Sequence, residues 1–442
     1  MSKPPSGHNA DYDYYLAQFV DIHGRPKAKL VPGKHCDMIF TGGAGFAGFA
    51  IAGMGMGPHG QEFMAVGDRN SVRPVPWMPG TAVVTCDGHV QGKPHALDSR
   101  VIAKKALADF REVTGLEFYS GLEPEFFLLR KDEGGNYVVA TDSESLDKPC
   151  YDFRHLSSVS PFLMDLRGAL ESAGIDVYQI DHEDANGQFE MNFTYADGLR
   201  TADNLIYFKM AAQAIAKKHG MLCSFMPKPF AERSGSGLHM HMSAGKKFGD
   251  NAFEDLTDPQ GMKLSPFAYH FLGGLMANAH ALTAIAAPCV NSYKRLVKKG
   301  SRSGATWAPV NVAYGDNNRT AFVRVPGGRL ELRLPDASCN PYLMTAAIIH
   351  AGLDGVRRKL DPGAPCNENL YALSSSELAE KGIARLPTSL PDALDALEKN
   401  KVVSGGLGEV FIREFLEVKR AECDELLLNV SPAEFSRYVD FF

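Results

Sequence analysis

The chain of 442 residues lacks closely spaced cysteines, although it contains eight in all. No two of them follow the C-x-x-C spacing that is typical of zinc sites and redox motifs. In a chain of this length, scattered cysteines indicate buried, reduced thiols and exclude both a disulfide framework and a zinc centre. The eight are Cys36, Cys86, Cys150, Cys223, Cys289, Cys339, Cys366 and Cys423.

The sequence also lacks a long uninterrupted apolar run and an excess of basic residues. Its most apolar stretch, residues 271–290, is interrupted by glycine, asparagine, histidine and proline, which predicts a core helix rather than a membrane span. The N-terminus has no apolar segment of the secretion-signal type, so we expect a cytoplasmic protein. Lys and Arg total 46 against 52 Asp and Glu, a formal charge of −6 that argues against nucleic-acid and membrane partners.

Glycine and proline are abundant instead, with 43 and 26 residues, and predict many turns. Alternating strand-like and helix-like segments favour an α+β fold, with a sheet whose strands carry charged residues and helices behind it. We predict an amphipathic helix over 99–115 with Ser99 as its N-cap, a domain boundary near this helix, and two parts that pack together. Residues 116–130 predict strand, turn and strand, 187–195 predict a strand, and 322–335 predict a hairpin around Gly327-Gly328. From residue 341 onward the chain is predicted to be mostly helical.

Several strand-like segments place charged side chains on one face. Glu123 and Glu125 are two residues apart, as are His239 and His241, so each pair points to one side of its strand. The same spacing applies to a segment at 329–333 in which arginine, glutamate and arginine alternate with leucine. Alone, each segment is typical of a solvated strand face. Together they form a larger inventory: Glu123, Glu125, Glu183, Glu190, Glu331, His239, His241, Arg295, Arg319, Arg324, Arg329 and Arg333.

Carboxylates and imidazoles of this kind suit Mg²⁺ or Mn²⁺, and guanidinium groups suit phosphates and carboxylates. The combination is typical of phosphoryl transfer, in which cations and arginines neutralise moving negative charge. We therefore predict a metal-assisted transferase or ligase that uses a nucleotide. Two other interpretations are a dinucleotide loop at Gly55-x-Gly57-x-x-Gly60, which is not followed by a helix start, and a cupin-like metal site at His239 and His241.

The ordered motifs resemble the glutamine synthetase family. The matching strings are GLEPEFF (121–127), EDANGQFE (183–190), FMPKPF (225–230), SGSGLHMHMS (234–243), NSYKRL (291–296), NNRTAFVRVP (317–326), RLELRLPD (329–336) and NPYL (340–343). The resemblance implies a small N-terminal β-grasp domain at 1–105 and a large catalytic domain at 106–442, with a curved antiparallel sheet backed by helices. It also implies a homo-oligomer of stacked rings, a dodecamer, with active sites between subunits.

The resemblance implies an ATP-dependent glutamate–amine ligase that works through γ-glutamyl phosphate, with glutamate, ATP and an amine as substrates. Two or more cations, Mg²⁺ or Mn²⁺, are expected. By position, one cation is held by Glu125, Glu183 and Glu190. The other is held by Glu123, His239 and Glu331. Glutamate is expected to bind Gly235, Arg295 and Arg333, and Arg319 is the expected catalytic arginine. ATP is expected to contact His241, Ser243, Arg324 and Arg329.

The sequence departs from the family pattern where the amine binds. Trp307, in GATWAPV, stands where the family usually has a flap glutamate. Ala52 or a neighbour stands where the N-terminal domain usually has an aspartate, and Ser234 replaces an asparagine. With Met54 and Met56 nearby, these changes favour an alkylammonium over NH₄⁺, because its cation can sit on an aromatic face. GATWAP also resembles the type III subgroup, which includes γ-glutamylmethylamide synthetases, so methylamine is the favoured acceptor and Trp307 the predicted amine-pocket residue.

Two other functions remain open. One is a glutamate–ammonia ligase with a rearranged flap, in which Trp307 only packs and another carboxylate, for instance Asp316, serves ammonium. The other is a non-catalytic regulatory homologue, which the complete set of predicted metal ligands disfavours. Tyr371 resembles a tyrosine that some bacterial members modify with AMP, but the following proline is missing, so we expect a packed or surface tyrosine.

Overall fold

The computed structural model describes residues 11–141 and 147–440. The first ten residues, which carry part of the prediction about secretion signals, lie outside this range. Within the described ranges, no helix is both long enough and apolar enough to cross a membrane. All eight cysteines are free, as their spacing predicts, but the predicted burial holds for five of them, since Cys150, Cys289 and Cys423 are half-buried.

The N-terminal part of the chain forms a seven-stranded sheet in the order β2-β1-β6-β4-β3, with β5 and β7 also paired to β6. Strands β1 and β6 are parallel, and the other pairings are antiparallel. The elements are β1 (Tyr14–Val20), β2 (Pro26–Pro32), α1 (Asp37–Thr41), β3 (Ala44–Phe46), β4 (Phe63–Gly67), β5 (Arg73–Pro74), β6 (Thr81–Val90) and β7 (Lys93–Pro94), with short 3₁₀ turns at Gly33–His35, Gly48–Ala50 and Arg69–Ser71.

The second sheet has ten strands in the order β10-β11-β8-β14-β17-β16-β15, with β9, β12 and β13 also paired to β8. All its pairings are antiparallel except β15 with β16. The strands are β8 (Glu117–Lys131), β9 (Tyr137–Val139), β10 (Val177–His182), β11 (Gln188–Phe193), β12 (Ala196–Asp197), β13 (Leu222–Ser224), β14 (Leu238–Gly245), β15 (Tyr314–Asp316), β16 (Val323–Val325) and β17 (Leu330–Leu332).

Helices pack behind this sheet, so the expected α+β architecture is confirmed. The central helix is Pro341–Arg358, which is buried over nearly its whole length. The helices are α2 (Ser99–Thr114), α3 (Phe153–Ser158), α4 (Ser160–Ser172), α5 (Gly198–Lys218), α6 (Pro266–Ala277), α7 (Ala279–Ala286), α8 (Ser292–Arg295), α9 (Pro341–Arg358), α10 (Ser375–Glu380), α11 (Leu390–Lys399), α12 (Lys401–Leu407), α13 (Glu409–Leu427) and α14 (Pro432–Tyr438).

The predicted turn inside 116–130 is wrong, because β8 is one continuous strand. The segment contains Gly121 and Pro124, two residue types that are common in turns. The structure places Pro124 at the point where β8 changes partners, from β14 before it to β11 after it. The missing N–H of proline therefore costs little there. Gly121 allows the close approach of Tyr195, whose Cβ would lie 3.2 Å from a Cβ at position 121.

The single core helix predicted at 271–290 is also wrong. The stretch forms α6 and α7, which are separated by Asn278. The Asn278 side-chain amide donates to the carbonyl of Gly274 at 2.9 Å, and so competes with the helical pattern. Both helices remain buried in the core. The hairpin around Gly327-Gly328 is confirmed by the antiparallel pairing of β16 and β17.

Helix α2 connects the two sheets and packs against both. Its N-cap is Asp98 rather than Ser99, since Asp98 Oδ1 accepts a hydrogen bond from Val101 N at 2.9 Å. Arg100 on this helix pairs with Asp87 at 2.6 Å on one side and with Asp203 at 2.9 Å on the other. The domain division predicted at 105/106 falls inside α2 and stays a prediction.

Candidate active site

The polar faces of the second sheet open into a cavity of about 730 Å³. The predicted metal, glutamate, ATP and catalytic residues and Trp307 all line this cavity except Ser243 and Glu331, whereas Met54 and Met56 are not among its lining residues. Ser243 lines a neighbouring cavity of about 440 Å³, which shares Glu123, His241 and Arg329 with the first. Glu331 lies directly behind two of the lining arginines. The predicted residues are thus brought together in one region.

Strand register explains why these side chains meet. Glu123 of β8 stands opposite His239 of β14. Glu331 of β17 stands opposite His241. Glu125 of β8 stands opposite Glu190 of β11 in the same way. Since directly opposed residues of antiparallel strands point to the same face, four strands deliver their polar residues to one surface.

Glu123 is the centre of the first group of ligand atoms. Its carboxylate accepts hydrogen bonds from His239 Nδ1 at 3.1 Å and from His241 Nε2 at 2.9 Å. Burial would raise the pKa of Glu123, but these two hydrogen bonds hold it well below its usual range. Arg329 Nε donates to His241 Nδ1 at 3.1 Å, which leaves the other ring nitrogen of His241 to donate to Glu123.

Glu331 is fully buried and held by two arginines. Arg333 pairs with its Oε1 at 2.5 Å, and Arg324 with its Oε2 at 2.7 Å. Burial would raise the pKa of Glu331, but the charge of Arg333 lowers it below its usual range. The carboxylate is therefore ionised and fixes both guanidinium groups at the cavity wall.

A second group of carboxylates lies across the hairpin of β10 and β11. Gly187, with φ of 80°, provides the turn that brings Glu183 and Glu190 to the same end of these strands. Burial raises the pKa of Glu183 to about 8, and the Glu125 carboxylate adds to the rise. Burial and the neighbouring Glu183 raise the pKa of Glu190 well above its usual range. These carboxylates repel one another, and the donor set therefore suits a cation.

Three groups of acidic and histidine residues within the described chain have ligand atoms that lie within 4.8 Å of one another. These groups differ from the two predicted sets of cation ligands, because His241, predicted to bind ATP, lies in one group with Glu123 and Glu331. Glu125 belongs to none of them, and its Oε2 accepts from Gln188 Nε2 at 2.9 Å and from Gly237 N at 2.8 Å. The groups are Glu123 with Glu190 and His239, Glu123 with His241 and Glu331, and Asp181 with Glu183 and Glu190.

Asp181 was missed from the sequence, although the signal was present. It lies on β10 opposite Glu190 of β11, and two residues before Glu183, which follows directly after the end of β10. The pKa of Asp181 lies above its usual value, because the effect of burial exceeds the opposing effect of the hydrogen bond from Gln179. Other lining residues that were not predicted for the site include Cys150, Tyr151, Tyr178 and Asp184.

Arg295 and Gly235 form another part of the wall. Arg295 is 3% exposed and donates to the carbonyl oxygens of Leu334 at 2.9 Å and Arg333 at 3.1 Å. The carbonyl of Gly235 accepts from Gln188 Nε2 at 3.1 Å. A buried arginine whose contacts are neutral carbonyls keeps its positive charge available to an anion in the cavity.

The segment that carries Trp307 lies over the cavity. Trp307 has φ of 54°, a left-handed conformation that bulky residues rarely adopt, and its side chain is 40% exposed. Ser303 on the same segment donates to Asp184 Oδ2 at 2.5 Å, and Ser234 donates to the same oxygen. Asp184 therefore joins the segment to the cavity wall, and the serine at position 234 provides one of the two donors.

Three expectations about this region have direct outcomes. Asp316 is exposed on β15 and is not among the described residues that line the cavity, whereas Asp184 is. Met54 is 1% exposed and packs in the N-terminal core, so the prediction that it contributes to an amine pocket is wrong. Tyr371 is half-buried, and its hydroxyl donates to the carbonyl of Ala308 at 2.6 Å, as expected for a packed tyrosine.

Comparison with known proteins agrees with this architecture. Residues 96–438 match the family model described as "Glutamine synthetase, catalytic domain". A protein of Methyloversatilis universalis named "Glutamate--methylamine ligase" is 54% identical over 432 residues, 97% of this chain and 96% of that protein. A "Glutamine synthetase" of Rhizobium meliloti is 41% identical over 411 residues, 92% of each chain.

A solved structure described as "GmaS/ADP complex-Conformation 1" superposes with a TM-score of 0.90. It is 41% identical to this chain, and the match covers 98% of this chain and 97% of that one. Sequence similarity and three-dimensional similarity thus extend over nearly the whole length, and the family model matches residues 96–438. The chain belongs to the glutamine synthetase family of ATP-dependent ligases.

Proposed function

We propose that this protein is a glutamate–amine ligase that uses ATP and prefers methylamine as the acceptor. The observation that carries the proposal is Trp307, an indole that lines a mainly polar and charged cavity, in which Tyr151 and Tyr178 are the other aromatic side chains among the described lining residues. An aromatic face attracts an alkylammonium and also contacts its methyl group. The similarity to the glutamate–methylamine ligase of Methyloversatilis universalis supports the same acceptor.

Two divalent cations, Mg²⁺ or Mn²⁺, fit the oxygen-rich donor set. In this proposal Glu125, Glu183 and Glu190 hold one cation. The other is held by Glu123, His239 and Glu331. The raised pKa values of Glu183 and Glu190 support the assignment, because a cation would relieve the repulsion between these carboxylates. When bound, the cations neutralise phosphate charge.

Glutamate binds the arginine-rich wall in this proposal. Arg295 and Arg333 pair with its carboxylate groups, and Gly235 contacts it through the backbone. Arg333 is preorganised, because Glu331 holds one of its nitrogens at 2.5 Å and the Arg319 carbonyl accepts from another at 3.1 Å. The charge needed for substrate is thus fixed before the substrate arrives.

ATP occupies the adjoining cavity, with its phosphates toward the shared residues. The proposed contacts are His241, Ser243, Arg324 and Arg329. His241 and Arg329 line both cavities, which supports a nucleotide that extends from one into the other. Arg324 is oriented by its 2.7 Å pair with Glu331.

The proposed reaction has two steps. The γ-carboxylate oxygen of glutamate attacks the γ-phosphorus of ATP, the bond to the bridging oxygen breaks, and ADP leaves. Arg319, which lines the cavity, stabilises the phosphoryl group in transit. The amine nitrogen then attacks the acyl carbon and phosphate leaves, so that a γ-glutamyl amide forms. The acyl phosphate supplies the leaving group that a carboxylate lacks.

Asp184 is the proposed acceptor of the amine proton. The carboxylate lines the cavity that Trp307 also lines, and it receives hydrogen bonds from Ser234 and Ser303. It thus supplies a negative charge near the segment that carries Trp307, the position at which the family usually has a glutamate. The same carboxylate supports a second candidate function, a glutamate–ammonia ligase, because Asp184 would also attract NH₄⁺.

In this proposal the chain divides into a β-grasp domain at 1–105 and a catalytic domain at 106–442. The chain forms stacked rings in which the smaller domain completes a neighbour's active site. Exposed apolar side chains near the C-terminus support association, among them Leu427 at 84% and Leu428 at 83% exposure. Light scattering of the full chain tests the assembly, and a stable monomer would contradict it.

The acceptor is tested by measuring ADP release with glutamate, ATP and Mg²⁺ while methylamine and ammonium are titrated separately. A higher kcat/KM for methylamine supports the proposal. A clearly higher kcat/KM for ammonium would assign the glutamate–ammonia activity instead. Turnover with Mn²⁺ in place of Mg²⁺ identifies the preferred cation.

A further inference from the structure

Tyr371 reaches the backbone of the segment that carries Trp307. Its hydroxyl donates to the carbonyl of Ala308 at 2.6 Å. The preceding carbonyl, that of Trp307, accepts from Arg333 Nη2 at 3.2 Å. Two successive carbonyls are therefore held from two sides, one by an arginine of the cavity wall and one by a tyrosine behind it.

Trp307 needs this restraint because its backbone is strained. A φ of 54° is unfavourable for a bulky residue and persists only where surrounding groups fix it. The indole is 40% exposed, so its own packing is incomplete. Ala308, in contrast, is 1% exposed, and its carbonyl is fixed by the Tyr371 hydroxyl.

The loop that carries Tyr371 is itself anchored. Leu370 is fully buried, and its N–H donates to Thr320 Oγ1 at 3.2 Å. Asn318 Nδ2 donates to the carbonyl of Cys366 at 2.8 Å. Tyr371 is therefore a fixed point, and the loop that fixes it is bonded to the residues on either side of Arg319.

We infer that Tyr371 is a positioning residue for amine selection, whose hydroxyl fixes the backbone at Trp307 and Ala308 and thereby aims the indole at the amine. This inference rests on the proposed function, because it concerns the wall that the amine contacts. Within the described chain, Tyr371 lines neither cavity, so it acts through Trp307 and touches no substrate.

Tyr371→Phe removes only the hydroxyl, and Tyr314→Phe is a matched control. Tyr314 Oη donates to the carbonyl of Gly363 at 2.6 Å, an equivalent bond away from the Trp307 segment. In Tyr371→Phe, we expect the KM for methylamine to rise about five- to twenty-fold, with kcat and the KM for ATP within about twofold, as for loss of one hydrogen bond. Tyr314→Phe should change neither KM.

The position of the indole is measured separately by fluorescence. The chain has only two tryptophans, so Trp77→Phe leaves Trp307 as the single reporter. In that background, we expect Tyr371→Phe to increase acrylamide quenching of Trp307, and Tyr314→Phe to leave it unchanged. This readout needs no substrate and does not depend on which amine the enzyme prefers.

A double-mutant cycle decides whether the effect passes through the indole. In a Trp307→Gly background, Tyr371→Phe should no longer change the KM for methylamine. Persistence of the full effect there, or unchanged KM and quenching in Tyr371→Phe alone, would overturn the inference. A wild-type enzyme that prefers ammonium would refute the proposed acceptor instead, while the quenching result would still decide the role of Tyr371.

Discussion

The guanidinium of Arg333 donates to the carbonyl oxygen of Trp307 at 3.2 Å. The same group pairs with the buried carboxylate of Glu331 at 2.5 Å. One arginine thus connects the proposed cation site, the proposed glutamate site and the segment that selects the amine. A change at this arginine is therefore expected to affect two substrates at once.

Arg333→Lys tests this connection. Lysine keeps the charge but loses the planar fork, so it cannot contact Glu331, the Trp307 carbonyl and glutamate together. We expect kcat/KM for glutamate to fall about 100-fold, and the KM for methylamine also to rise. Steady-state titration of each substrate measures both. An exposed pair provides the control: Arg358→Lys, which alters the 3.0 Å contact with Asp354, should change neither constant. A rise in the KM for glutamate alone would contradict the shared role.

Asp184→Asn tests the proposed proton acceptor. Asparagine keeps the shape of the side chain and an oxygen that can accept from Ser234 and Ser303, but it removes the charge. We expect kcat with methylamine to fall about 100- to 1,000-fold, as for loss of a general base. Asp316→Asn is the control, because Asp316 is exposed and lies off the cavity. A loss of amine-dependent turnover in Asp316→Asn but not in Asp184→Asn would reverse the assignment.

Glu190→Gln tests the cation site through stability. Burial raises the pKa of Glu190, and repulsion from the carboxylates around it adds to the rise. We expect Mg²⁺ to raise the melting temperature of the wild type, because it binds the folded state only. The variant should melt higher than the wild type in EDTA and gain less from Mg²⁺. A wild-type melting temperature that Mg²⁺ does not change would contradict a cation site at these residues.

The N-cap of α2 provides a pH-dependent prediction away from the site. Burial raises the pKa of Asp98 to about 7. An unfolded aspartate titrates near pH 4, so between about pH 4 and 7 the folded chain binds more protons than the unfolded one. Stability from this group is therefore lost as the pH rises through that window, by about 1.4 kcal/mol per unit of separation between the two pKa values.

Asp98→Asn keeps an N-cap acceptor but does not titrate. We expect its stability relative to the wild type to increase from pH 5 to pH 8 in thermal unfolding. Asp152→Asn is a matched N-cap control. Slight burial would raise the pKa of Asp152, but the His155 N–H and other hydrogen bonds hold it below its usual value. The stability of Asp152→Asn relative to the wild type should not change with pH over the same range. A relative stability of Asp98→Asn that is likewise independent of pH would contradict the account.

Much of the fold and site could be predicted from alternation and spacing. Residues two apart on β8 and β14 do share a face, and register then brings Glu123 and His239 to one cavity, with Glu331 of β17 directly behind the arginines of its wall. The hairpin at Gly327-Gly328 was readable because glycine permits its positive φ values of 79° and 69°.

The remainder depends on tertiary contacts that local patterns do not encode. Pro124 and Gly121 suggest a turn locally, but the exchange of partner strands around them keeps β8 continuous. In the sequence, Asp184 is typical of a turn. Its role at the cavity depends on the hydrogen bond from Ser303, which lies far along the chain. The left-handed backbone at Trp307 depends on Arg333 and Tyr371, which lie 26 and 64 residues away along the chain.

The central claim is that the indole of Trp307 selects the amine. The most direct measurement is the ratio of kcat/KM for methylamine to that for ammonium, in the wild type and in Trp307→Glu. The wild type should favour methylamine. The variant, which loses an aromatic–cation contact and regains a carboxylate, should shift the ratio toward ammonium by about tenfold or more. A wild type that favours ammonium, or a variant that loses activity equally with both amines, would contradict the account.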